Sequence, residues 1–156
     1  MNDIMLKDRM FDEFGVREGD FRISAITTKT SGKYGMTTSG KYINSKGELV
    51  GGYALGFSSG YTESLHISPY YATSIDNVAF RAVAGHELIH AYHNYAIPGA
   101  STIYSEKIAY KYTHDTYVNS GRYWEASQVM KLAASKLFWG TAPAQYQIPS
   151  AIGIYW

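Results

Sequence analysis

The chain has 156 residues, of which 46% are hydrophobic and only 17% charged, and its 14 basic and 13 acidic side chains give a formal net charge of +1. This apolar content suffices for one compact core, and we expect a single domain over residues 1–156. The balanced charge argues against nucleic acid as a partner, and no apolar run is long enough to span a bilayer. The chain lacks cysteine, so histidine, glutamate and aspartate are its available metal donors.

The N-terminal region is rich in charge, and residues 1–20 are predicted to be a linker or a packing helix. An amphipathic helix over about residues 2–14 fits the apolar positions there. These positions are Ile4, Met5, Phe11 and Phe14. Charged residues begin at Asp3, which is unlike a secretory signal peptide, so localisation is left open and the chain is compatible with a piece of a longer secreted protein.

Short runs of β-branched and aromatic residues, separated by glycine, occupy the next part of the chain and predict an antiparallel sheet. The predicted strands cover residues 21–29, 34–38, 41–44, 48–56 and 63–68. Residues 44–47 read Asn-Ser-Lys-Gly and predict a hairpin turn in which Gly47 supplies a positive φ.

After Pro69 the pattern becomes helical. Helices are predicted over about residues 74–95, 101–118 and 122–139, followed by an irregular tail over 140–156. The predicted fold class is therefore α+β, with a small, mostly antiparallel sheet followed by one long helix and two C-terminal helices.

The helix predicted over residues 74–95 carries the motif His-Glu-x-x-His, formed by His86, Glu87 and His90. Residues four apart on an α-helix lie about 40° apart around the axis and about 6 Å along it, so both imidazoles can face one ion. Zn²⁺ held by neutral nitrogens lowers the pKa of its water, and the adjacent carboxylate can accept the proton. The motif predicts a zinc hydrolase site, and the alternative is a buried helix with satisfied histidines.

The residues around the motif resemble the extended motif of zincin metallopeptidases. Val83 is β-branched, Tyr92 is large, and the residues between them other than the motif are uncharged. The order of a sheet, a His-Glu-x-x-His helix and further helices is also similar to the zincin architecture. The resemblance covers about residues 65–118, and it implies a zincin-like fold with Zn²⁺ as cofactor.

Within the zincins, the metzincin pattern requires glycine at the place of His93 and a third histidine at the place of Ala96, so that branch does not match. The gluzincin pattern does not have this requirement. His93 lies about 10 Å along the helix axis from His86, too far for both to bind one ion. We expect His93 to be a core histidine or to support a ligand.

Gluzincins take their third ligand, a glutamate, from the next helix, and the resemblance implies this role for Glu106. Helical spacing places small or aromatic residues on the same face as Glu106, a surface suited to packing over the motif helix. The alternatives are Glu125, or the pair His114 and Asp115. Glu106 could instead be a solvated residue near a helix start, where a negative charge is mildly stabilising.

In zincins the strand before the active-site helix is an exposed edge that aligns an extended substrate. The resemblance implies this role for Leu65, His66 and Ile67. Alternation places Leu65 and Ile67 on one face and His66 on the other. The alternative is an ordinary strand with a surface His66.

Peptidases of this kind usually place a tyrosine or histidine beside the metal to stabilise the oxyanion. The candidates by proximity to the helices are Tyr110, Tyr117, Tyr123 and His114. The chain has 15 tyrosines, and the usual role of such residues is packing with the hydroxyl at a boundary.

The sequence thus predicts peptide-bond hydrolysis by a zinc-activated water, with a peptide or protein as substrate. The glutamate, alanine and tyrosine at Glu106, Ala109 and Tyr110 also make the chain similar to compact zincin domains of bacterial Rhs-type and other secreted effectors. Two alternatives are a non-catalytic, zinc-stabilised binding module and a zinc hydrolase that acts on a non-peptide amide. The oligomeric state is not indicated.

Overall fold

A computed structural model describes residues 1–56 and 60–136, with side chains through residue 134. Within these ranges short strands precede three longer helices, a mixed architecture consistent with the predicted α+β class. In chain order the elements are α1 (Asn2–Phe14), a 3-10 turn (Asp20–Arg22), β1 (Ile26–Thr27), β2 (Gly35–Met36), β3 (Tyr42–Ile43), β4 (Leu49–Val50), β5 (Gly52–Leu55), β6 (Ser64–Ile67), α2 (Pro69–Ala72), α3 (Asn77–Ala96), α4 (Thr102–Asn119) and α5 (Tyr123–Lys136). The predicted tail over 140–156, and the last residues of the predicted third helix, lie outside the described residues.

The N-terminal helix α1 is a packing element. Leu6 and Met10, four residues apart on one face of α1, are both 0% exposed. The helix ends at Gly15, whose φ of 67° is in the left-handed region that glycine adopts at the least cost. The helix predicted over residues 2–14 is confirmed.

The first predicted strand, over residues 21–29, is wrong for most of its length. Phe21 and Arg22 adopt φ values of 51° and 58° inside the 3-10 turn, and only Ile26–Thr27 forms a strand. The Phe21 ring packs edge-on against Tyr92 of α3, with centroids 5.0 Å apart. This contact with a distant helix, which local propensity does not encode, accompanies the break in the strand.

In residues 1–56 and 60–136 the strands form two three-stranded sheets, so the prediction of a single sheet is wrong, whereas the mostly antiparallel pairing is confirmed. The order β2-β3-β4 is antiparallel throughout, whereas β1-β6-β5 is mixed, with β1 parallel and β5 antiparallel to β6. The predicted turn before β4 is confirmed, since Gly47 has φ 79° and donates its N–H to Asn44 O at 3.0 Å.

The strand β6 occupies the centre of its sheet, so the predicted substrate edge at residues 65–67 is wrong. Leu65 and Ile67 are 0% exposed, and His66 is 2% exposed. His66 is therefore not a surface residue either. Its Nδ1 lies 2.6 Å from Lys29 O and its Nε2 lies 2.7 Å from Ser64 Oγ, so both ring nitrogens have hydrogen-bond partners.

The predicted helix over residues 74–95 is shorter at its start. Asp76 is the N-cap of α3, where its Oδ1 accepts from Ala79 N at 3.1 Å. A fully buried face of α3 packs against α1 and the β1-β6-β5 sheet, where the main core lies. The residues of this face are Phe80, Ala84, Leu88 and Ala91.

The helix α4 packs along α3, and α5 packs along α4. The α3–α4 approach is close at Gly85, where an added Cβ would collide with the Tyr112 ring and hydroxyl. Tyr112 Oη donates to Arg81 O at 2.9 Å across the same contact. Within the two described ranges, no helix has the length and apolar character to cross a membrane.

Candidate metal centre

The packing of α4 on α3 brings His86, His90 and Glu106 together. The two Nε2 atoms lie 3.2 Å apart, and Glu106 Oε1 lies 3.2 Å from His86 Nε2 and also contacts His90 Nε2. Each residue offers one ligand atom, and these atoms all lie within 4.8 Å of one another. Among residues 1–56 and 60–136, this is the group of histidine and carboxylate donors that could hold a metal ion.

The spacing of these donors fits a small divalent cation. Donors about 2 Å from an ion in tetrahedral geometry lie about 3.3 Å from one another, close to the 3.2 Å that separates His86 Nε2 from both His90 Nε2 and Glu106 Oε1. Two imidazoles and one carboxylate also match the ligand set of catalytic zinc sites with one open position. The arrangement can therefore hold a metal, and the identity of the metal stays a prediction.

Local sequence explains how the donors meet. His86 and His90 are one turn apart on α3, so they project from the same side. The connection between α3 and α4 is short, which makes the two helices neighbours. Ser101 caps α4 by accepting from Tyr104 N at 3.1 Å, and Glu106 follows in the second turn.

Hydroxyl groups of α4 bind the other ring nitrogen of each histidine. Thr113 Oγ1 lies 3.1 Å from His86 Nδ1, and Ser105 Oγ lies 2.7 Å from His90 Nδ1. With Nδ1 occupied in this way, the Nε2 atoms face Glu106. Sequence reasoning missed both hydroxyls, although Thr113 is seven residues from Glu106 and so shares its face of the helix.

His93 is buried, at 3% exposure, with its Nδ1 2.7 Å from Ser105 Oγ. Burial, together with the nearby His90, lowers the pKa of His93 to about 4, so its imidazole is neutral at pH 7. The core position and the support of a candidate ligand are alternatives in the sequence prediction; the structure shows the buried position and places His93 Nδ1 on the hydroxyl that also contacts His90 Nδ1.

Glu87 is buried beside the three donors without belonging to them. Its side chain lines a cleft, and its Oε2 lies 3.9 Å from His86 Nε2. Burial raises the pKa of Glu87 to about 7. Gly52 of β5 lies close to the Glu87 side chain, since a Cβ at Gly52 would be only 2.9 Å from Glu87 Cγ. Glycine is therefore needed for the strand to approach Glu87 this closely.

Glu106 has the opposite electrostatic setting. Its burial opposes ionisation, but its contacts with the imidazoles of His86 and His90 hold the pKa of its carboxyl well below its usual range. Glu106 is therefore an ionised carboxylate, the form that binds a cation.

The cleft beside Glu87 has a volume of about 290 Å³ and runs between the start of β5 and helices α3, α4 and α5. His86 and Glu87 lie in its wall together with Tyr71, Tyr110 and Tyr117. The rest of its lining is largely apolar, with Leu49, Val50, Val83, Val129 and Leu132. A cleft of this kind accommodates an apolar group next to the carboxylate.

The four candidate oxyanion donors are placed differently. The ring of Tyr110 lies 4.8 Å from that of His86, and burial followed by the charges of Glu106 and Glu87 raises the pKa of its hydroxyl far above the ordinary value. Tyr117 lines the cleft as well. Tyr123 is 69% exposed at the start of α5, and His114 pairs with Asp115 at 3.1 Å.

The alternative ligands are engaged elsewhere. Glu125 Oε2 accepts from Arg122 Nε at 2.6 Å, and Asp115 Oδ2 lies 3.4 Å from Lys111 Nζ. Of the described residues, neither these nor His114 join the group of three donors. The structure thus brings Glu106 to the motif, while its role as a ligand stays a prediction.

Tyr34 is a further residue near the site that sequence reasoning missed. Burial raises the pKa of Tyr34, and the charges of Glu87 and Glu106 add to the effect, which places this phenol within their field. Its ring stacks on Tyr53 of β5, with centroids 3.9 Å apart. No local signal marks Tyr34, because its position depends on how the two sheets pack.

No protein-family model matches the chain, and no curated protein or solved structure matches it either. Its function is therefore inferred from its own residues.

Proposed function

We propose that the protein is a zincin-like, gluzincin-type zinc metallopeptidase that hydrolyses peptide bonds. The observation that carries this proposal is the convergence of His86, His90 and Glu106 beside a buried Glu87 in the wall of an open cleft. These residues come from one motif and the next helix along the chain, in the order expected for this class.

His86, His90 and Glu106 would hold Zn²⁺, which when bound supplies a Lewis acid that activates water and polarises the scissile carbonyl. Glu87 accepts a proton from the attacking water and delivers it to the leaving amine. Tyr110 keeps its proton and donates a hydrogen bond to the developing oxyanion.

The substrate strand is proposed to lie along β5 rather than β6. In the described part of its sheet β5 is an edge, and the residues at and just before its start line the cleft beside Glu87. An extended peptide can add to such an edge through backbone hydrogen bonds. The apolar lining then favours a large apolar side chain in the substrate.

Metal analysis of the purified protein tests the proposal first, with about one zinc per chain expected. Zinc added to metal-free protein should raise the melting temperature, because a ligand that binds only the folded state stabilises it. No zinc uptake after reconstitution would contradict the proposal. Zinc uptake without turnover of any peptide in a broad library would favour the non-catalytic binding module.

Glu106→Gln tests the third ligand. An amide is a poor replacement for a carboxylate on Zn²⁺, so this change should weaken zinc binding strongly. The matched control is Glu125→Gln, which alters a carboxylate bound to Arg122 instead. Equal zinc affinities in the two variants, measured by competition with a chelator, would contradict the assignment.

A further inference from the structure

Ser105, the residue before Glu106, lies between two histidines of α3. Its Oγ is 2.7 Å from His90 Nδ1 and 2.7 Å from His93 Nδ1. Ser105 is 8% exposed, so water competes little for these contacts. A hydroxyl has one proton to donate, so it can donate to only one of the two nitrogens and has to accept from the other.

We propose that Ser105 is a positioning residue that holds His90 in the tautomer protonated at Nδ1 and links it to His93. The inference rests on the proposed zinc centre. A ligand nitrogen offers its lone pair to the metal, and His90 Nε2 faces Glu106 and lies 3.2 Å from His86 Nε2. The proton of a zinc-binding His90 is therefore on Nδ1 and is donated to Ser105 Oγ.

The direction of the remaining hydrogen bond follows. Because Ser105 accepts from His90, its own proton is free to be donated to His93 Nδ1. Neutral His93 then carries its proton on Nε2. These hydrogen bonds run from His90 through Ser105 to His93. They orient the His90 imidazole through two residues that are not metal ligands.

A second hydroxyl on α4, that of Thr116, hydrogen-bonds the backbone of its own helix and provides a comparison for Ser105. Thr116 Oγ1 donates to Tyr112 O at 2.8 Å, one turn back along the same helix. This contact supports the backbone and involves no histidine. Thr116→Val is therefore a matched control for the loss of a hydroxyl from α4.

The test compares zinc affinity in Ser105→Ala, Ser105→Thr and Thr116→Val by chelator competition. Loss of an outer hydrogen-bond partner typically weakens metal binding about 10- to 100-fold, so we expect this loss in Ser105→Ala. Ser105→Thr retains the hydroxyl and should recover most of the affinity, and Thr116→Val should leave it unchanged. Circular dichroism of each variant checks that the fold is intact.

Long-range ¹H–¹⁵N spectra of the zinc-loaded protein give a readout independent of affinity. The wild type should show His90 protonated at Nδ1 and His93 at Nε2, and Ser105→Ala should change the His93 spectrum although His93 is not a ligand. Unchanged affinity and unchanged His93 signals in Ser105→Ala would overturn the Ser105 assignment while leaving the zinc centre intact. A wild type that binds no zinc would overturn the proposed function and, with it, this assignment.

Discussion

On one face of α3, Phe80, Ala84, Leu88 and Ala91 are completely buried against apolar neighbours, whereas the face towards α4 carries the partly buried imidazoles of His86 and His90 and lies next to the Glu106 carboxylate. The first face is stabilised by removal of apolar surface from water and by close packing. The second face places polar groups where water is scarce, so each requires a hydrogen-bond partner or a cation. One helix thus carries an apolar packing face and a separate polar face that holds two of the candidate metal ligands.

The largest expected effect on the polar face comes from Glu87→Gln. Glu87 is next to Leu88 in the sequence, but its side chain lines the cleft. General-base assistance is typically worth about 10²- to 10⁴-fold, so turnover should fall by this factor while zinc and fold are retained. Peptide cleavage and zinc content would be measured on the same preparation. Glu63→Gln, at an exposed position, is the control.

Full activity of Glu87→Gln would rule out the proposed mechanism. Loss of zinc together with activity would show instead that Glu87 supports the site structurally.

The opposite face is tested by Leu88→Ala. Leu88 is 0% exposed in the main core, and a Leu→Ala change at such a site typically costs about 2–5 kcal/mol of unfolding free energy. Urea denaturation would measure the loss, and the folded variant should still bind zinc. Ile75→Ala, at a residue 100% exposed, should change stability by less than about 0.5 kcal/mol. A zinc site lost in folded Leu88→Ala would mean that the two faces are not independent.

The close contact between α3 and α4 is tested by Gly85→Ala. The added methyl group would collide with Tyr112, so we expect a loss of about 1–3 kcal/mol and weaker zinc binding because α4 carries Glu106. In a Tyr112→Ala background the same change should cost much less, because the obstacle is gone. Equal costs in both backgrounds, measured by denaturation, would show that Tyr112 is not the cause.

The smallest expected effect is at the start of α3. Hydrogen bonds from Arg122, and from the backbone N–H of Ala79, hold the pKa of Asp76 below its usual value. A depressed folded pKa means that the contribution is present above the unfolded pKa of about 3.9 and is lost as pH falls through the folded pKa. Asp76→Ala should cost about 1 kcal/mol at pH 7, as expected for an N-cap.

The acid dependence gives a separate check on Asp76. Asp76→Asn should flatten the loss of stability that sets in as pH falls below the unfolded pKa of about 3.9, whereas Asp12→Asn, at an exposed position, should not. Identical acid profiles for the wild type and Asp76→Asn would contradict the pairing with Arg122.

Local patterns in the sequence predicted α1, the turn at Gly47 and the helical order of the C-terminal half. They also predicted that His86 and His90 lie side by side, because residues four apart on a helix share one face. The choice of Glu106 over Glu125 came from the family resemblance, and the structure places Glu106 with the two histidines. These features depend on residues close in the chain or on the order of neighbouring helices.

Tertiary structure alone decided which strand is central and which lies beside the cleft. The zincin resemblance implied an edge strand at residues 65–67, but β1 and β5 flank β6 on both sides. It also decided that Ser105 faces two histidines and that Tyr34 lies near the carboxylates. Strand neighbours and hydroxyl contacts arise from packing between segments far apart in sequence, whereas helical periodicity is set by hydrogen bonds four residues apart and can be read directly from the sequence.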